Sequence, residues 1–193
     1  MKIVAFSDIH GSVPFPKIPD GTDLVLVAGD VAPLSASLDL EGHRYFRIKE
    51  QIDWVFHELP KWVNEYPSTD FVVVPGNHDF WGATLDGNPN WPTNLYVRDN
   101  GLVSVRGKNI FCSSWVLPIN GRWIYEMANE AEATVALRIP KHPQVDIVVT
   151  HNPPLVEGSD IDRCSNGDHC GSKFLTREIE KVQPELLVCG HIH

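Results

Sequence analysis

The sequence predicts an α/β fold, with a sheet core, or two sheets face to face, and helices outside. Three observations carry the prediction. Short apolar runs of strand length are continuous rather than alternating, as in strands covered on both faces. Between two of them, apolar residues recur at steps of three and four, the helical period. Every strand-like run also stops abruptly at a cluster of polar residues, where ligands of open α/β sheets bind.

The elements follow in order. Lys2–Phe6 and Leu24–Ala28 read as the first two strands. Tyr45, Ile48, Ile52, Val55, Phe56, Leu59 and Val63 make one face of a helix that Pro60 should kink or break. Phe71–Val74 is the third strand. From Asn94 to Trp115, short runs separated by turn residues, with a strong turn signal at Asp99-Asn100-Gly101, predict a small antiparallel meander. A second helix is expected over Asn129–Arg138. Ile147–Val149 is the next strand. A third helix spans Ser172–Lys181, with Ser172 as N-cap and Pro184 beyond its end, and Leu186–Cys189 is the last strand.

A length of 193 residues fits one domain, 1–193, with a real core. The net charge of −9 argues against a duplex-DNA binder, and nucleic acid enters only as a substrate. No apolar run is long enough to span a bilayer, and the start, MKIVAFSDIHG, reads as a strand rather than a signal peptide. Four scattered cysteines make cytoplasmic residence with reduced thiols the default. Cys164 and Cys170 share a polar loop that reads as unpaired, with a local disulfide or a metal site as the alternatives.

The polar clusters carry the chemistry. They are Asp8-Ile9-His10, Gly29-Asp30, Gly76-Asn77-His78-Asp79, His151-Asn152 and Gly190-His191-Ile192-His193. The donors Asp8, His10, Asp30, Asn77, His151, His191 and His193 are hard oxygen and borderline nitrogen, with no sulfur. Seven donors are too many for one four-coordinate ion and fit two divalent ions sharing a carboxylate. Glycines before Asp30, Asn77 and His191 would let the backbone approach the site.

The order D-x-H, GD, GNHD, H, GHxH over nearly the whole chain resembles the calcineurin-like metallophosphoesterase superfamily. The resemblance implies an αββα sandwich of two facing mixed sheets flanked by helices. It implies that Asp8, His10, Asp30 and His193 hold one metal, that Asp30, Asn77, His151 and His191 hold the other, and that Asp30 bridges. Mn²⁺ is favoured, with Fe, Zn²⁺, Ni²⁺ or Co²⁺ as alternatives. It further implies attack on phosphorus by a hydroxide between the metals, with His78 stabilising phosphoryl oxygens or protonating the leaving group, and Asp79 orienting His78. GDVAPLSAS lacks the arginine that usually follows GD in protein phosphatases. TH-x-PP, GS-x-x-L and P-x-L-x-x-x-GH-x-H instead resemble the small group related to cyclic-nucleotide phosphodiesterases. A small phosphodiester is therefore the expected substrate, with a phosphomonoesterase or a non-catalytic metal-binding scaffold as alternatives. The family continues past GHxH, so a chain ending at His193 reads as a short or truncated member.

Other residues have ordinary readings. Phe80 and Trp81 form either an apolar wall at the site or loop packing. Trp115, Trp123 and Tyr125 are core or rim, and Glu126, Glu130 and Glu132 a solvated helix start. His57 is a helix-surface residue and His169 a loop residue; His43 and His142 have no motif around them.

Overall fold

The computed structural model describes residues 1–34, 44–84 and 91–193. Among the described residues, eight strands make two four-stranded sheets. The first holds β1 (Ile3–Phe6), β2 (Leu24–Ala28), β3 (Asp70–Val74) and β4 (Leu95–Val97), in that order and parallel throughout. The second holds β5 (Asn100–Val105), β6 (Lys108–Ser113), β7 (Ile147–Thr150) and β8 (Leu186–Cys189). There β5 and β6 are antiparallel and the other pairs parallel.

Strand alternation assigns the layers. Leu24, Leu26, Ala28, Val72 and Val74 point from the first sheet towards Ile110, Cys112, Ile147 and Val149 of the second. The intervening Val25, Val27, Phe71 and Val73 pack outward on Val55, Leu59, Trp62 and Val63 of α1 (Arg44–Asn64). On the other side, Phe111 and Val148 pack outward on Ala133 and Ala136 of α2 (Ala133–Ala136) and Leu175 of α3 (Lys173–Val182). The result is the expected helix–sheet–sheet–helix sandwich. Both faces of β2 are buried, which is why its sequence is apolar without alternation.

Several elements differ from the sequence expectation. Helix α1 runs through Pro60 because the lost hydrogen bond is outweighed by the buried row of Val55, Leu59 and Val63 on either side of it. The second helix shrinks to a 3₁₀ turn at Glu130–Glu132, capped by Asn129, and the single turn α2. The meander is not there as such. β4 joins β3 in the first sheet, and the Asp99-Asn100-Gly101 segment carries the chain from one sheet to the other. The hairpin turn lies later, at Arg106-Gly107, where both residues have positive φ (50° and 76°). α3 forms as expected: Ser172 Oγ accepts the Leu175 N–H at 3.2 Å, and Gln183 ends the helix in a left-handed conformation.

Cys164 and Cys170 form a disulfide, which corrects the unpaired reading. Their loop folds back on itself, with Cys164 N–H donating to Asp168 O and Cys170 N–H to Asp162 O, so the two sulfurs meet. Among the described residues, no helix is long and apolar enough to cross a membrane.

Candidate metal centre

The ladders run on past the strand ends and carry the polar clusters with them. Asp8 N–H donates to Gly29 O (3.0 Å) and His10 N–H to Asp30 O (2.8 Å), tying the loops after β1 and β2 together. In the second sheet His151 N–H donates to Ser113 O (2.8 Å) and Gly190 N–H to His151 O (3.2 Å). Asp8, His10, Asp30 and His191 all have φ in the left-handed region, at 53°, 48°, 52° and 76°. That conformation costs roughly 1–2 kcal/mol per non-glycine residue, and such strain gathers at functional sites. Two glycines make the close approach possible. A Cβ on Gly29 would collide with the His151 ring, and one on Gly76 with Asp30 Oδ1.

Asp30 is the hub. Its buried carboxylate accepts the His78 N–H at 2.9 Å and lies 3.4 Å from His151 Nε2, and 3.9 Å from both His10 Nε2 and His78 Nε2. Burial opposes its charge, but the neighbouring His151 and His78 prevail and hold its pKa at about 2. Asp8 accepts the His191 N–H at 3.2 Å on both oxygens and is bonded by the Ser7 hydroxyl.

His151 tests whether a cation fits. Its Nδ1 faces the carbonyl of Ala28 at 2.8 Å, which fixes the proton there and leaves Nε2 with a lone pair. That Nε2 faces Asn77 Oδ1 at 2.9 Å and Asp30 Oδ1 at 3.4 Å. Three electron-pair donors converge, which a divalent ion satisfies. Burial lowers the His151 pKa, but Asp30 reverses the balance and leaves it raised. His10 Nδ1 is likewise buried without a hydrogen-bond partner among the described residues.

Two sets of donors can each hold an ion: Asp8, His10 and His193, and Asp8, Asp30 and His151. Asn77 adds its oxygen to the second set. Asp8 is common to both sets, while Asp30 also reaches towards His10. His191 contributes no atom to either three-residue set; its ring lies 5.0 Å from that of His151, and burial brings its pKa down to about 4.

His78 stands at the rim, half-buried, its ring 5.4 Å from that of His10. Burial lowers its pKa, so the ring is neutral at pH 7 and donates one N–H. Asp79 does not hydrogen-bond to that ring. Its fully buried carboxylate accepts the N–H groups of Val31 (3.0 Å), Ala32 (2.8 Å) and Gly76 (2.8 Å), joining the loops after β2 and β3. Burial, and then the charge of Asp30, push its carboxyl up to about 6.

Some contributors were missed in the sequence. Gln51 of α1 donates to the His78 carbonyl at 2.9 Å, and in the sequence it was one polar residue in a helical pattern. Glu126 belongs to no helix; its carboxylate accepts the N–H groups of Ile119, Asn120, Gly121, Arg122 and Trp123. The Asn-Gly turn six and five residues before it, with its run of free backbone donors, was the available signal. Trp81, expected at the site or in the loop, is fully buried in the core, and Trp123 takes the place beside His78, with ring centroids 4.1 Å apart. His57 pairs with Glu58 on the exposed face of α1, His169 pairs with the buried Asp162 at 2.9 Å, and His43 lies outside the described residues.

Fold and site together define an αββα protein with a carboxylate–imidazole cluster suited to divalent ions. The family model for calcineurin-like phosphoesterases matches residues 1–193, and the chain belongs to that family. It is 27% identical over 209 residues to a UPF0046 protein of Caenorhabditis elegans, covering 100% of this chain and 63% of that protein. It is 24% identical over 221 residues to metallophosphoesterase domain-containing protein 1 of Homo sapiens, covering 100% of this chain and 60% of that protein. It thus spans less than two thirds of the length of these two relatives. An uncharacterized protein of Methanocaldococcus jannaschii is 23% identical over 202 residues and is covered over 80% of its length. One crystal structure shares the fold at a TM-score of 0.64 and 18% identity, over 98% of this chain and 83% of that one.

Proposed function

We propose that this chain is a two-metal phosphoesterase that hydrolyses a small phosphodiester, a cyclic nucleotide being the first candidate. One observation carries the reading: buried Asp30 is surrounded by three imidazoles within 3.9 Å, with no lysine or arginine partner among the described residues.

In this reading Asp8, His10, Asp30 and His193 hold one ion, and Asp30, Asn77, His151 and His191 the other. Two bound divalent ions polarise a phosphoryl group and lower the pKa of a water. The chain's own groups do the rest. Ala28 O fixes the His151 tautomer, and the low pKa of His191 keeps its ring neutral as a ligand. Neutral His78 donates its N–H to a phosphoryl or leaving-group oxygen. Asp79 and Gln51 hold the backbone on which His78 rides. Mn²⁺ is the favoured ion, the partner is a small phosphoester, and the working compartment is the cytoplasm.

The test compares bis(p-nitrophenyl) phosphate with p-nitrophenyl phosphate, in Mn²⁺ and in EDTA. Mn²⁺-dependent preference for the diester is expected. Preference for the monoester would overturn the diester assignment, and no turnover in any metal would overturn catalysis.

A further inference from the structure

Trp123 stands apart from the other tryptophans. Trp62 and Trp81 lie in the core under α1, with Trp54 and Trp91 packed against it, and Trp115 packs on the core of the opposite face. Trp123 belongs to none of these clusters. It is half-buried, and its ring neighbours are His78 at 4.1 Å and Phe80 at 6.5 Å. An indole at a polar rim, outside every core, is placed against the general pattern of apolar burial.

The loop that carries it is built to hold that position. The Glu126 carboxylate gathers five consecutive N–H groups, from Ile119 to Trp123, at up to 3.2 Å. Val116 and Tyr125–Met127 close the neck of the loop by two backbone hydrogen bonds of 2.9 and 3.0 Å. Tyr125 is buried with a left-handed φ of 57°, and its hydroxyl packs so tightly on Gly82 that a Cβ there would collide with it. A strained residue, a carboxylate nest and a closed neck thus fix one aromatic plane beside the side chain expected to touch the reacting phosphoryl group.

We infer that Trp123 is a specificity-determining platform on which a planar ring of the substrate's organic group stacks, so that the preferred phosphoesters carry a nucleobase or an aryl group. The inference rests on the phosphoesterase reading above and deepens it. Stacking on an aromatic side chain suits a ring of any identity, because every base has a π face. The platform therefore selects rings over aliphatic groups without reading hydrogen bonds.

The test is direct binding, by calorimetry, to the Mn²⁺-loaded protein and to the same protein in EDTA. The probes are adenosine 5′-monophosphate, phenyl phosphate and ribose 5-phosphate. Wild type should bind at least one ring-bearing probe about tenfold more tightly than ribose 5-phosphate. Trp123→Ala should bring the ratio within about twofold by weakening only the ring-bearing probes, and Trp123→Phe should keep most of it. Trp123→Leu, close in apolar bulk, repeats the test if the alanine variant does not fold. Tight binding of the adenosine probe alone assigns the platform to nucleobases, and of phenyl phosphate alone to aryl esters. A wild-type ratio near one, or a ratio that survives loss of the indole, overturns the inference. Absolute affinities for all three probes that persist unchanged in EDTA, with the ring preference intact, would instead count against the metal reading and leave the platform standing.

Discussion

The two ends of the strands carry the same kind of side chain and treat it in opposite ways. At the amino ends, Asp23 precedes β2, Asp70 starts β3, Asp146 precedes β7 and Glu185 precedes β8. All four are answered from one hairpin. Arg106 lies 2.6 Å from Asp70 and 3.5 Å from Asp23, and Lys108 lies 2.8 Å from Glu185 and 3.4 Å from Asp146. At the carboxyl ends, Asp8, Asp30 and Asp79 have imidazoles and backbone N–H groups around them, and among the described residues no lysine or arginine pairs with them. The lesson is that carboxylates alone do not mark a metal site. What marks one is buried carboxylates left without a protein cation, on a backbone bent to bring them together.

Four experiments would break or sharpen that contrast. The largest effect is expected from Asp30→Asn, which should lose bound metal, read by elemental analysis, and nearly all metal-dependent turnover. Unchanged metal content would end the hub assignment. Next, His78→Ala should keep its metals and lose about 10²–10⁴-fold in kcat, the range for a positioned proton-handling group. Loss of metal together with activity would instead make His78 a ligand.

The third experiment is the pH dependence of the metal-free protein. The folded-state pKa of His191, about 4, lies below its ordinary value of 6.5, so the unfolded chain takes the proton first and stability is lost as pH falls from 6.5 towards 4. Asp79, at about 6 against an ordinary 3.8, acts in the opposite direction and adds stability as pH falls from 6 towards 3.8. The two act in opposite directions in wild type. His191→Asn should therefore show a urea midpoint that rises between pH 6.5 and 4, and a midpoint that falls would refute that opposition. The smallest effect belongs to the other end of the strands. Arg106→Ala should cost about 1 kcal/mol or less in urea unfolding and leave turnover unchanged. Loss of activity there would show that the two ends are coupled.

Much of this was legible in the sequence because buried strands and their ends write themselves as apolar runs followed by polar residues. β1, β2, β3, β7 and β8 and their donor clusters fall where that pattern puts them. β4 was misassigned because a three-residue run says nothing about which sheet it will join, and the Asp99-Asn100-Gly101 signal marks a sharp bend, not its partner. For Trp81, wall or packing, and for Trp123, core or rim, the sequence left two readings open for a similar reason. The 3₁₀ turn at Phe80–Thr84 swings Trp81 into the core, and a nest of backbone donors invisible to side-chain patterns holds Trp123 at the rim. The role of Asp79 was hidden because a carboxylate next to a histidine in sequence need not touch it in space.

The chain changes sheets once, at Arg98–Asp99. Among the described residues every strand before that point belongs to the first sheet and every strand after it to the second, so the molecule is halved along its own sequence. The donors divide in the same way: Asp8, His10, Asp30 and Asn77 belong to the first half, His151, His191 and His193 to the second. A cation held between them would act as a clasp joining distant parts of the chain, and closing so long a loop is where a cross-link constrains an unfolded polypeptide most. During synthesis the strands of the first sheet and the carboxylates of Asp8 and Asp30 are made before the imidazoles of His151, His191 and His193 that would complete the donor set.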